Sequence, residues 1–145
     1  MAVISRKKQA RKGPFVTFYE QEECGNHRLI LELSDELLTT YCEITNTYLP
    51  FDSHSGGKLT RRQDIRLLAR EFFGWATHLS YCRIFSPEID GIADMYFPEK
   101  RAVNHQRYEA IIGIIREDML DTAVFLGKEL LKVAKRGNTL LIEGL

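Results

Sequence analysis

Between Tyr108 and Val133, eight apolar positions (Tyr108, Ile112, Ile115, Met119, Ala123, Leu126, Leu130 and Val133) follow at intervals of 4, 3, 4, 4, 3, 4 and 3 residues. Only an α-helix gathers such positions on one side, because it turns once every 3.6 residues or so. The pattern predicts a long helix from near Asn104 to Arg136, ended by a basic last turn and by Gly137, a residue at ease in the left-handed backbone that closes helices. Ile111, Ile114, Leu120, Val124, Phe125 and Leu131 widen its apolar surface beyond what one neighbouring helix covers. A surface of that width predicts either a central core helix or a homodimer interface, with Ile112, Ile115, Met119, Leu126 and Leu130 as the residues facing a second copy. Gly113 and Gly127 each cost about 1 kcal/mol against alanine inside a helix, and a close helix crossing is one way to offset that.

Upstream, Phe15–Tyr19 and Arg28–Leu33 are β-branched, aromatic and aliphatic runs separated by turn residues, which predicts a hairpin or two separate short strands. Ser34, Asp35 and Glu36 open a second predicted helix of about 14 residues, since a side-chain oxygen and two acids suit the amino end of a helix. Pro50 and the Asp52–Gly57 segment break it and read as a loop. Thr60 is the expected cap of a third helix, with Ile65, Leu68, Ala69, Phe72, Ala76 and Leu79 on one face and Arg62, Arg66 and Arg70 on the other. Pro87, Asp90-Gly91 and Pro98 punctuate an irregular connection carrying Tyr96 and Phe97. The expected fold is therefore α+β and mainly α, a short N-terminal β-ribbon followed by three principal helices, with residues 1–13 a basic flexible arm and residues 14–145 a single helix-rich domain.

At 145 residues the chain has the size of one domain, and its 44% hydrophobic and 28% charged residues exclude a disordered tail. No apolar run reaches the ~20 residues that span a bilayer, and the amino terminus lacks a signal-peptide pattern, so a cytoplasmic location is expected. Cys24, Cys42 and Cys82 form no repeating spacing and read as reduced thiols. The formal net charge is zero, yet Arg6, Lys7, Lys8, Arg11 and Lys12 precede any acid, so residues 14–145 carry −5. Such an arm can neutralise phosphates or simply aid solubility.

Local chemistry is sparse. Gly56-Gly57-Lys58 invites comparison with a phosphate-binding loop, but Asp52 and Leu59 stand where that pattern needs glycine and Ser/Thr. Cys24 with His27, and His78 with Cys82, have spacings that zinc accepts, though their order is not that of a familiar finger, and no metal or cofactor is expected. His54 and His105 have no evident sequence partner. No nucleophile is aimed at a base by a local signature, and an active site would require carboxylates such as Glu22, Glu23 or Asp90 to converge in space. A catalytic residue is not assigned.

Arg28–Leu38 resembles the strand and first-helix start of ribbon-helix-helix DNA-binding proteins, and Thr60–Phe73 resembles the start of that family's second helix. The resemblance implies Arg28, Ile30 and Glu32 facing bases, and Thr60, Arg61 and Arg62 facing the backbone. The leading expectation is a non-enzymatic DNA-binding or regulatory protein, homodimeric, touching phosphates through the arm, Arg28, Arg61, Arg62 and Arg66. The alternative is a protein-binding adaptor or inhibitor that docks its partner through the acidic body and Tyr96-Phe97.

Overall fold

The computed structural model describes residues 15–35, 38, 39, 42, 48–52, 54–81 and 104–144. Strand β1 (Phe15–Gln21) turns back into β2 (His27–Ser34), as β-branched and aromatic residues at half-buried positions favour. After a short β3 (Gly57–Leu59) come helices α1 (Arg62–Tyr81) and α2 (His105–Arg136), and the chain returns to the sheet as β4 (Thr139–Glu143). All neighbours are antiparallel, in the order β2-β1-β4-β3.

This overturns the expectation of a β-ribbon followed by three principal helices. The described residues form a four-stranded antiparallel sheet and two helices, while α+β remains the correct class. The helix expected after Ser34 falls mostly outside the described residues, and so do the arm and the Pro87–Pro98 connection.

The two helices run antiparallel along each other. Arg62, at the start of α1, lies against Gly137 just past the end of α2; Phe73 lies against Gly127; and Arg116 reaches the far end of α1. There its Nε and Nη2 donate to the Leu79 and Ser80 carbonyls at 2.9 and 2.8 Å, satisfying acceptors that a helix end leaves open. α2 begins at Asn104, whose side chain accepts from the Arg107 amide, and ends at Gly137, whose φ of 73° lets its amide turn back to the Ala134 carbonyl.

The helices cover one face of the sheet. Val16 and Phe18 of β1, Leu31 and Leu33 of β2, and Leu140 and Ile142 of β4 point inward and are buried, in register as Val16 opposite Leu33 and Phe18 between Leu31 and Ile142. Phe18 meets Phe72 of α1 edge-on at 6.1 Å, and Phe72 meets Trp75 at 4.6 Å, geometries that aromatic quadrupoles favour. The seam residues Ile112, Ile115, Met119, Leu126 and Leu130 are fully buried in this same core. These five side chains are therefore buried within one chain and are not free to face a second copy, while Ile114 and Leu131 on the outer side of the same helix stay exposed.

Candidate functional site

Among the described residues three places gather polar chemistry, and the first removes an expected phosphate contact. A bulge in the β1–β2 pairing between Phe18 and Tyr19 leaves Ile30 as an extra residue, so the alternation of sides along β2 is broken. Ile30 is buried, Glu32 is exposed, and Arg28 lies opposite Glu20; the three residues expected to read bases together do not share a face. Arg28 is instead committed to carboxylates. Its Nη2 donates to Glu20 at 2.8 Å and to Glu129 of α2 at 3.2 Å.

Glu20 is only 3% exposed and also accepts from Arg136 Nη1 at 3.0 Å and Asn138 Nδ2 at 2.8 Å. Burial opposes its ionisation, but the hydrogen bonds from Asn138 and Arg28 and the Arg136 charge outweigh that and hold its pKa below the usual carboxylate value. Glu129 is lowered in the same way, burial being outweighed by Lys132 and Arg28. This network ties the β1–β2 hairpin to the carboxyl end of α2 and to β4. It is structural.

The second place is the outer side of α1. Arg62, Arg66 and Arg70 recur every four residues, are exposed, and take no carboxylate partner among the described residues. Arg61 pairs with Asp64 at 3.6 Å across an exposed turn, an arrangement of little strength that phosphate could replace. Because α1 starts where α2 ends, Arg62 lies at the end of the helix pair that also carries the exposed Lys135. Arg6, Lys7, Lys8, Arg11 and Lys12 lie outside the described residues.

The third place was not visible in sequence. On the sheet face away from the helices, a cleft of about 560 Å³ is lined by Tyr19, His27, His54, Ser55, Glu143 and Gly144, among others. His54 arrives there because Asp52 Oδ1 accepts from the His54 and Ser55 amides at 2.7 and 3.4 Å, folding a tight turn. Gly56 closes that turn at φ 73°, packed so near Ile142 and Gly144 that a Cβ would meet the Ile142 carbonyl oxygen. Burial, with the charge and hydrogen bonding of Glu143, raises the Tyr19 phenol pKa and keeps it protonated. The cleft thus offers hydrogen-bonding groups, while among the described residues no three His, Cys, Asp or Glu side chains are placed to hold a metal. Cys24 bonds Glu22 at 3.4 Å at the hairpin turn, His78 is exposed on α1, and Cys82 lies outside the described residues.

No family model matches the chain, and no similar curated protein or solved structure was found. Among the described residues, no helix is long and apolar enough to cross a membrane.

Proposed function

We propose that the chain is a non-enzymatic DNA-binding protein that contacts the phosphate backbone through the exposed side of α1, assisted by its basic arm. The observation that carries this reading is the row of Arg62, Arg66 and Arg70, aligned on one helix and without carboxylate partners among the described residues. Guanidinium groups fork onto phosphate oxygens, and each phosphate neutralised releases condensed counterions. The row is built for backbone contact and carries no base-reading pattern, so sequence preference is expected to be weak.

The test is a salt titration of binding to a mixed-sequence duplex, followed by fluorescence anisotropy. Replacing Arg62, Arg66 and Arg70 together by alanine should flatten the plot of log K against log salt by roughly 2 to 3 units, at about 0.9 for each phosphate no longer neutralised. Deleting residues 1–13 should remove up to about four more. Lys58→Ala, on the edge strand β3 that leads into α1 and outside the arginine row, should flatten the slope by no more than about 1 unit. Absence of binding at about 50 mM salt would reject the reading. The protein-binding alternative would then lead, on the observation that Leu29, Tyr19 and Leu141 form one cross-strand row on the outer sheet face.

A further inference from the structure

The face of α2 turned away from the core carries a second heptad row, at Ile114, Glu117, Asp121, Val124, Lys128, Leu131 and Lys135. Its spacings of 3, 4, 3, 4, 3 and 4 residues trace a continuous seam along about 32 Å of helix. Val124 is half-buried and the other six are exposed, Ile114 at 64% and Leu131 at 42%. The charges are segregated: acids occupy the amino-terminal half and lysines the carboxyl-terminal half. Glu117, Asp121, Lys128 and Lys135 take no partner among the described residues.

Nothing among the described residues accounts for that order. Opposite charges four apart support a helix, yet here Glu117 and Asp121 repel at that spacing. The helix dipole favours acids in the first turn and bases in the last, which covers Lys135 but not Asp121 or Lys128 in the middle of a 32-residue helix. A surface that is acidic on one half and basic on the other is complementary to itself when rotated by a two-fold axis.

We infer that a second copy of this chain docks on this face, α2 against α2 and antiparallel, with the two-fold axis between Val124 and Phe125. That register sets Asp121 against Lys128 of the second copy, twice over by symmetry. Ile114 then lies on the aliphatic stem of Lys135, and the two Val124 side chains lie at the centre. A single helix face of this length falls short of the roughly 800 Å² per partner of standard stable interfaces. The dimer is therefore weak, with a dissociation constant on the order of micromolar, and its exposed ion pairs make it salt-sensitive. It does not depend on phosphate binding, and its test contains no nucleic acid.

Sedimentation equilibrium of the full chain across a concentration series provides the test, with circular dichroism confirming that each variant is folded. Asp121→Lys and Lys128→Asp should each weaken self-association by about tenfold or more, since like charges then face each other twice. Mixing the two variants should restore dimers, because a mixed pair sets lysine against aspartate at both contacts. The double variant D121K/K128D should self-associate as the wild type does. A wild-type chain that stays monomeric at several hundred micromolar would overturn the inference. So would folded single variants that dimerise unchanged, or whose mixture stays monomeric.

Discussion

Glu20 shows how one residue links distant parts of the chain. Its carboxylate is surrounded by Arg28 from the neighbouring strand, Arg136 from the last turn of α2 and Asn138 from the segment leading into β4. Glu20→Gln keeps the shape but leaves Arg136 without a counter-charge among the described residues and Arg28 with Glu129 alone, and should cost about 2 kcal/mol at neutral pH. Because the pKa of Glu20 is lower in the folded than in the unfolded chain, its contribution is complete above the ordinary carboxylate range and is lost as pH falls through the folded value. Urea midpoints measured over an acid pH series should therefore show the wild type losing stability faster than Glu20→Gln, the two converging at the acid end. Parallel profiles would remove Glu20 from that role. The same network explains why Arg28, an obvious cation in the sequence, is a poor candidate for phosphate: it already has two carboxylates.

Among the elements, α2 was the most legible in the sequence, because its periodicity and both of its ends depend on residues close in the chain. Asn104 and Gly137 cap it through contacts within four or five positions. β4 and β3 were not legible. Thr139–Glu143 acquires its partners from β1, more than a hundred residues earlier, and Gly57–Leu59 acquires its only from β4. Strand pairing across such separations leaves little local trace in a five-residue apolar run or in a Gly-Gly-Lys segment. The two glycines of α2 look alike in sequence and differ in space. A Cβ at Gly113 meets nothing within 4 Å, whereas one at Gly127 would lie 2.8 Å from the Phe73 ring, where α1 crosses. Gly113→Ala should therefore stabilise by up to about 1 kcal/mol through helix propensity. Gly127→Ala should destabilise by about 1 to 3 kcal/mol, since the ring must shift in a packed crossing. Thermal melts of the two variants should move in opposite directions, and a rise in both would show that the Phe73 ring relocates freely.

For the whole molecule, the strand order makes the last described strand a central one. β4 lies between β1 and β3, so the segment after α2 closes the sheet beneath the helices. Its inward residues Leu140 and Ile142 belong to the same buried cluster as Phe18, Trp75 and Ile115, which come from β1, α1 and α2. A single core of this kind should melt as one unit. Trp75, the only tryptophan, is fully buried in it and reports on its packing, while far-ultraviolet circular dichroism reports mainly on the helices. Leu140→Ala removes a fully buried side chain from a central strand and should cost about 3 kcal/mol, within the range for leucine truncations in packed cores. If sheet and helices share one cooperative core, the Trp75 fluorescence and circular dichroism transitions of this variant should shift together to the same lower denaturant concentration. A helical signal that keeps its wild-type midpoint while the tryptophan signal moves would mean that α1 and α2 hold together without the sheet, and that β4 closes a separable layer.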